Sequence, residues 1–127
     1  MRPSEICIGD FVNSSFGIGK VFAIDHEGVT IINKKDEQFD ISWTDEEAWV
    51  DFLPLTKERL NKMGIEKEGT APQGVQIWTK YVDGHRFKLI EWTVTGVMQF
   101  NDIRLEYVHQ VQQIMRMLGI RKEVSLW

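Results

Sequence analysis

Two neighbouring strand-like runs carry the side chains best suited to bind a ligand. Trp78 and Tyr81 lie in the first run, and His85, Arg86 and Lys88 lie in the second. Aromatic rings stack on nucleobases and on cations, while arginine and lysine pair with phosphate or carboxylate oxygens. The sequence therefore predicts a ligand-binding set that suits a small nucleotide. The alternative interpretation is that these are ordinary side chains of a sheet.

A second polar group lies on a predicted C-terminal helix, residues 107–119. Its apolar residues have the i, i+3, i+4, i+7 spacing of one helical stripe, and they are Tyr107, Val108, Val111, Ile114, Met115 and Leu118. At 100° per residue, His109 and Arg116 point away from this stripe, which predicts a solvated outer face. Such a face either contacts only water or binds a partner through His109 and Arg116. Trp127, in the apolar C-terminal tail, is a further candidate for partner contact.

No motif for catalysis or metal binding has a recognisable spacing in this chain. The run Phe16-Gly17-Ile18-Gly19-Lys20 lacks the Walker spacing and does not begin a helix, so we interpret it as a glycine-hinged loop. Three scattered histidines and one cysteine do not provide the ligand spacing of a zinc site. We expect Cys7 to be a small buried strand residue. The sequence thus predicts no catalytic residue, no metal and no cofactor, and the protein is interpreted as a non-enzyme.

Charge is distributed unevenly along the chain. The net charge is −4, but residues 1–53 contain four Lys and Arg against eleven Asp and Glu, whereas residues 54–127 contain eleven against eight. Phosphate is repelled by an acidic surface, so nucleic acid is disfavoured as a partner of the first half. The acidic side chains between residues 36 and 51 form a solvated rim or, alternatively, a surface that meets a basic protein or imitates nucleic-acid phosphate.

Residues 1–55 are typical of a small SH3-like β-barrel. Five short strands are expected at residues 8–12, 19–24, 29–33, 38–43 and 50–53, separated by tight turns. Thr44, followed three residues later by Glu47, matches a capping box and predicts one helical turn through Trp49.

Residues 56–127 predict an α-β-β-β-α unit packed on that barrel. Thr56 is a good N-cap for a short helix at residues 57–63, and Gly64 is a good residue to end it. Residues 66–74 are polar and rich in glycine and proline, which predicts a loop. The complete chain is therefore expected to have an α+β fold.

A three-stranded antiparallel meander at residues 75–101 forms the centre of this second unit. Asp83-Gly84 between two strand-like runs is the strongest short hairpin signal, and it places Val82 opposite His85. Both faces of this hairpin carry apolar side chains. One face must therefore be covered by another element or offered to a partner, which makes a homodimer plausible.

Three segments resemble a known group of proteins. They are Ile8-Gly9-Asp10-Phe11-Val12, Pro54-Leu55-Thr56 and Tyr107-Val108-His109-Gln110-Val111-Gln112. In this order they resemble short uncharacterised proteins encoded by bacteriophages, prophages and mobile elements of gut bacteria. Those have an "IG(D/N)-x-V" opening, a "PIPLT" stretch and a "YVHQLQN" helix. This chain has Val111 in place of the leucine and Gln113 in place of the asparagine. The resemblance implies a phage or mobile-element context and no particular activity.

The resemblance and the residue pattern together lead to three expectations about function. The first is a non-enzymatic binding protein that binds a host protein, such as a defence or transcription protein, or sequesters a small signalling nucleotide. The second is a nucleic-acid-binding regulatory module of SH3-like type, which the acidic first half disfavours. The third is an enzyme, for which no motif is found. No apolar run long enough to span a bilayer occurs, and with one cysteine a cytoplasmic location is expected.

Overall fold

The computed structural model describes residues 5–69, 72–82, 84–120 and 125–127. The chain forms two compact units, residues 1–54 and residues 55–127. Each unit contains a five-stranded antiparallel sheet, and the second unit also contains two helices. The predicted α+β class is therefore confirmed.

The sheet of the first unit is formed by short strands that contain many β-branched residues. They are β1 (Phe11–Ser14), β2 (Gly19–Ile24), β3 (Gly28–Ile32), β4 (Gln38–Ser42) and β5 (Val50–Phe52). Their order in the sheet is β4-β3-β2-β1-β5, so the last strand returns to lie beside the first. Aliphatic side chains form the core of this unit: Ile6, Val12, Val21, Val29, Ile31 and Ile41. These residues bury well on a pleated surface, which explains why the pattern of short strands was readable from sequence.

The first strand begins later than the sequence predicts because the chain turns at Gly9. Gly9 has a φ of 94°, which a residue with a side chain rarely adopts. The buried carboxylate of Asp10 accepts a hydrogen bond from the backbone N–H of Cys7 (2.8 Å). Cys7 itself is exposed and precedes β1, so its expected position as a buried strand residue is wrong.

Two other predictions for the first unit also need correction. β4 and β5 form the two edges of the described sheet and do not pair with each other, so the sheet is open and the predicted closed barrel is wrong. The expected helical turn before Trp49 is a bend instead. The carboxylate of Asp45 accepts hydrogen bonds from the backbone N–H groups of Glu47 (2.8 Å) and Ala48 (3.0 Å), and this local turn replaces the predicted cap at Thr44.

The second unit contains a longer and wider sheet than the sequence predicts. Its elements are α1 (Lys57–Lys62), β6 (Glu66–Lys67), β7 (Val75–Val82), β8 (His85–Trp92), β9 (Val97–Phe100), β10 (Ile103–Leu105) and α2 (Val108–Met117). The sheet order is β10-β9-β8-β7-β6. The predicted three-stranded meander is thus the centre of a five-stranded sheet. β6 lies in the segment expected to be a loop, and β10 lies in the segment expected to lead directly into the helix.

Helix α1 begins and ends as its sequence predicts. The hydroxyl of Thr56 accepts a hydrogen bond from the N–H of Arg59 (3.2 Å), which caps the first turn. Gly64 has a φ of 79°, and the N–H of Ile65 donates to the carbonyl of Leu60 (2.9 Å), which closes the last turn.

The register of the β7–β8 hairpin sorts its side chains onto two faces. All five predicted pairs, from Val82 opposite His85 to Ile77 opposite Ile90, are present, and the pairing continues to Val75 opposite Trp92. Gly84 in the turn has a φ of 80°, and Asp83 lies outside the described residues. Side chains alternate between the faces of a strand. The inward face therefore carries the buried residues Trp78, Val82, Phe87, Leu89 and Glu91, and Lys57 of α1 reaches it through an ion pair with Glu91.

Helix α2 is buried over more of its surface than an amphipathic pattern requires. The predicted stripe is buried at Val108, Val111, Ile114 and Met115. At its start, the side-chain oxygen of Gln110 accepts hydrogen bonds from two backbone N–H groups, those of Glu106 (2.7 Å) and Tyr107 (3.0 Å). In the described part of the chain, no helix has both the length and the apolar character needed to cross a bilayer.

Candidate functional site

The second face of the C-terminal sheet, which we term the open face, is accessible to a partner. By register it carries Tyr81 opposite Arg86, Thr79 opposite Lys88, Ile77 opposite Ile90 and Val75 opposite Trp92. Arg86 and Lys88 are exposed, whereas the aliphatic side chains of this face are half-buried. Tyr81 is 71% exposed and Trp92 is 45% exposed. An aliphatic centre with an exposed aromatic residue near each end is typical of a protein-binding surface.

The structure divides the predicted ligand-binding set between the two faces. Tyr81, Arg86 and Lys88 share the open face, as a common site requires. Trp78 lies on the inward face and is 1% exposed, so it cannot stack on a ligand that binds the open face. His85 is exposed at the end of the hairpin, but its register position also belongs to the inward face. The five residues therefore do not form one site, and three of them remain together.

Two hydrogen-bonded contacts orient side chains on or beside the open face. The indole N–H of Trp92 donates to the side-chain oxygen of Gln99 (2.8 Å), which fixes the tilt of the ring. The guanidinium of Arg86 forms an ion pair with Glu68. Sequence analysis placed Trp92 on this face but did not select it as a site residue. Its position across from Val75 in the predicted register was the available signal.

The predicted outer face of α2 is the clearest correction in this unit. His109 is 4% exposed and Gln112 is 3% exposed, so neither lies on a solvated face. The ring of His109 stacks on Tyr107, with centroids 5.7 Å apart. Arg116 is half-buried. The buried arc from Ile114 to His109 covers more than half of the helix circumference, because successive residues are 100° apart.

The C-terminal tail is split between burial and exposure. Leu126 is 7% exposed, whereas Trp127 is 41% exposed. Residues 123 and 124, which the expected tail segment includes, lie outside the described residues. The partner-binding role proposed for Trp127 stays a prediction, and His109 does not present an exposed surface to such a partner.

A buried carboxylate on the inward face was not selected from sequence. The side chain of Glu91 is 4% exposed, and both of its oxygens have partners. The indole N–H of Trp78 donates to Oε1 (3.0 Å), and the ammonium of Lys57 lies 3.2 Å from Oε2. Burying a carboxylate without partners would cost several kcal/mol, so these two contacts are what makes its position tolerable. The predicted register already placed Glu91 on the Trp78 face, where an acidic residue interrupts an apolar alternation.

Glu91 lies in the wall of a cavity of about 420 Å³. Across three neighbouring strands, Glu91, Met98 and Leu105 are paired in register and so share one face. A second ion pair lines the same cavity, with Arg104 Nε 3.2 Å from the carboxylate of Glu106. Threonine residues 56, 93 and 95 also contribute to the wall. The cavity therefore combines two cations, two carboxylates and several hydroxyl groups.

Two acidic side chains of the first unit, Asp25 and Asp45, accept hydrogen bonds from nearby backbone N–H groups. The backbone N–H groups of Glu27 and Gly28 donate to the carboxylate of Asp25 and hold its pKa below the ordinary value of 3.8. The N–H groups of Ala48 and Glu47 lower the pKa of Asp45 in the same way. Both carboxylates border a groove of about 490 Å³. Within the described residues, no group of three or more His, Cys, Asp or Glu side chains is placed to hold a metal ion.

Comparison of the chain with protein-family models, curated proteins and solved structures finds no match.

Proposed function

We propose that this protein is a small non-enzymatic binding protein and that it binds a protein partner through the open face of its C-terminal sheet. The observation that carries the proposal is the exposure of Tyr81 (71%) and Trp92 (45%) on one sheet face, together with Arg86 and Lys88. Tyrosine, tryptophan and arginine are the residue types that contribute most to the free energy of protein–protein binding. Small-molecule sites are usually concave, so a sheet face favours a protein over a nucleotide.

The size of the open face defines the kind of complex. Strands rise about 3.4 Å per residue and lie about 4.8 Å apart, so five strands of these lengths present roughly 400–500 Å². A standard interface buries about 800 Å² on each partner. The face alone therefore supports a transient complex, and an obligate homodimer would need additional surface. A homodimer through this face is a less favoured outcome, which light scattering at micromolar concentration distinguishes from a monomer.

Charge favours a partner with acidic groups. The second unit carries eleven Lys and Arg against eight Asp and Glu, and Arg86 and Lys88 contribute two of these cations to the open face. Arg86 is partly neutralised by Glu68, so the electrostatic contribution is modest. The aliphatic side chains of Ile77 and Ile90, which follow Lys88 on the same face, favour a protein over nucleic acid, because phosphate gains nothing from them.

The proposal includes the context implied by the resemblance to phage and mobile-element proteins. In that context the partner is a bacterial host protein, and the complex forms in the cytoplasm. The strand order of the first unit, in which β5 returns beside β1, supports an SH3-like kinship. The excess of seven negative charges in residues 1–53 disfavours the nucleic-acid-binding function that such kinship would otherwise suggest.

A matched pair of double variants tests the proposal. The tagged protein, a Tyr81→Ser/Lys88→Glu variant and a Phe22→Ser/Lys35→Glu control are each incubated with bacterial extract. The control likewise changes one exposed aromatic residue to serine and one lysine to glutamate, but in the first unit, where Phe22 is 57% exposed. We expect one extract protein to be retained by the wild type and by the control. Once purified, that protein should bind the open-face variant at least roughly tenfold more weakly than it binds the wild type. Equal retention by both variants, or retention that nuclease abolishes, would overturn the proposal.

A further inference from the structure

The ion pair between Lys57 and Glu91 is asymmetric, and this asymmetry indicates a binding site. The side chain of Glu91 is 4% exposed, whereas that of Lys57 is 61% exposed. The carboxylate is held in place by the indole of Trp78, while the ammonium is held mainly by the carboxylate. Lysine has four rotatable side-chain bonds, so its ammonium can leave the pair for water without any change in the backbone.

The position of Lys57 in α1 supports the same interpretation. Lys57 is the first residue of the helix after the N-cap Thr56. The N-terminal end of a helix carries partial positive charge, so a cation there is disfavoured. The helix therefore does not stabilise the ammonium in this position, and Glu91 does. A ligand ammonium that reached Glu91 would replace a cation whose ionic contact, within the described part of the chain, is this one carboxylate.

Packing alone does not require a carboxylate at position 91. On one side it pairs with Gln76, and on the other side the row continues through Met98, which is 7% exposed, to Leu105, which is 4% exposed. An aliphatic side chain would continue this apolar row, and replacing a buried ion pair by apolar residues is often neutral or stabilising. The carboxylate is instead fixed by Trp78 at the wall of an open cavity of about 420 Å³. Small-molecule sites typically have volumes of about 300–1,000 Å³.

The other charges of the cavity define the class of ligand. Arg104 and Glu106 form a second pair in the wall, so two cations face two carboxylates. A nucleotide polyphosphate would find each cation already matched by an acidic group. A ligand that carries one charge of each sign matches this wall better. We propose that the cavity binds a small zwitterion, with a primary ammonium on Glu91 in place of Lys57 and a carboxylate near Arg104. Free amino acids and short peptides share this chemistry.

The indole N–H of Trp78 provides a direct reporter, because it donates to the carboxylate that would receive the ligand. Nuclear magnetic resonance of ¹⁵N-labelled protein resolves the indole N–H signals, and the Trp78 signal is followed during titration with free amino acids and with dipeptides. Parallel titrations use an N-acetylated amino acid, which lacks the ammonium, and an amino-acid amide, which lacks the carboxylate. We expect saturable shifts with the zwitterions, and several-fold weaker binding when either charge is removed. The comparison of amino acids with dipeptides distinguishes the two sources.

Two variants separate ligand binding from a merely structural ion pair. Lys57→Met removes the internal competitor, so a zwitterion should bind several-fold more tightly and raise the melting temperature more than it does in the wild type. Lys62→Met is the matched control on the same helix, where Lys62 pairs with the exposed Glu58 (3.9 Å), and its affinity should equal that of the wild type. Glu91→Gln retains an acceptor for Trp78 but should abolish the shift.

Three results would overturn the proposal. They are the absence of a saturable shift with any zwitterion at millimolar concentration, equal binding of the N-acetylated compound, and weaker binding by Lys57→Met. If Glu91→Gln fails to fold, the Lys57→Met and Lys62→Met pair still decides the question. The cavity is on the inward face, so failure here leaves the proposed protein-binding function of the open face untouched.

Discussion

The first and second units each contain five antiparallel strands, yet they differ in how they use buried polar side chains. In the first unit, buried Asp10 and Ser14 are hydrogen-bonded to backbone groups of neighbouring turns. In the second unit, buried Glu91 accepts a hydrogen bond from the indole N–H of Trp78 and pairs with the ammonium of Lys57. The first arrangement stabilises the conformation of backbone turns, whereas the second fixes a charged side chain at the wall of a cavity.

This difference indicates which unit carries the binding chemistry. A carboxylate that accepts backbone N–H groups is occupied by the fold and cannot change partner without loss of a turn. A carboxylate paired with an exposed lysine can change partner, because a rotation of one side chain is sufficient.

The largest expected effect is the loss of the aromatic core in the second unit. Trp78 is 1% exposed and also fixes Glu91, so Trp78→Ala removes packing and a hydrogen bond together. We expect the free energy of unfolding to fall by about 3–5 kcal/mol, measured by urea denaturation with circular dichroism. Trp92→Ala is the control, because Trp92 is 45% exposed, and it should cost less than about 2 kcal/mol. Equal losses for the two variants would contradict the assignment of inward and open faces.

A smaller effect is expected where two strands of the first unit approach closely. A Cβ added at Gly28 would overlap the carbonyl oxygen of Ile41 and lie 3.0 Å from the Cα of Ser42, both in the paired strand β4. Backbone atoms cannot move aside as a flexible side chain can, so Gly28→Ala should lower the free energy of unfolding by about 1–3 kcal/mol.

The matched control for this change is Gly69→Ala. An added Cβ at Gly69 meets no atom within 4 Å, and the φ of Gly69 is not in the left-handed region. Its stability should therefore stay within about 0.5 kcal/mol of the wild type. If Gly28→Ala were equally well tolerated, close backbone packing would not be a property that distinguishes the first unit.

Sequence reasoning predicted the elements whose signals are local. The Asp-Gly turn fixed the register of the β7–β8 hairpin, and Thr56 with Gly64 located α1. It missed β6 and β10, because strands of two and three residues have no measurable period and exist only through pairing with a neighbour. The same limit applies to barrel closure, which depends on strands that are distant in sequence.

The candidate site was predicted less well than the fold for two physical reasons. A single apolar stripe assumes that a helix is covered on one side, so it could not reveal the burial of His109 in α2. Glu91 was not selected, because the predicted register was used only to sort the apolar residues of the hairpin onto its two faces. An acidic residue at an inward position of a predicted strand was the available signal.

The smallest expected effect concerns the turn carboxylates of the first unit. Backbone hydrogen bonds lower the pKa of Asp25 and of Asp45 below 3.8 in the folded state. A group whose folded pKa is depressed contributes stability above its unfolded pKa and loses it as the pH falls through the folded pKa.

The double variant Asp25→Asn/Asp45→Asn keeps the acceptor oxygens and removes the charges. It should therefore melt below the wild type at neutral pH, and the difference should shrink as the pH falls below about 3.8 and vanish below the folded-state pKa. Melting curves at high salt provide the control, because salt screens repulsion between carboxylates but has less effect on contacts with the adjacent N–H groups. A variant more stable than the wild type at neutral pH and high salt would show that these charges do not stabilise the turns, and the contrast between the two units would then lose its basis in the first.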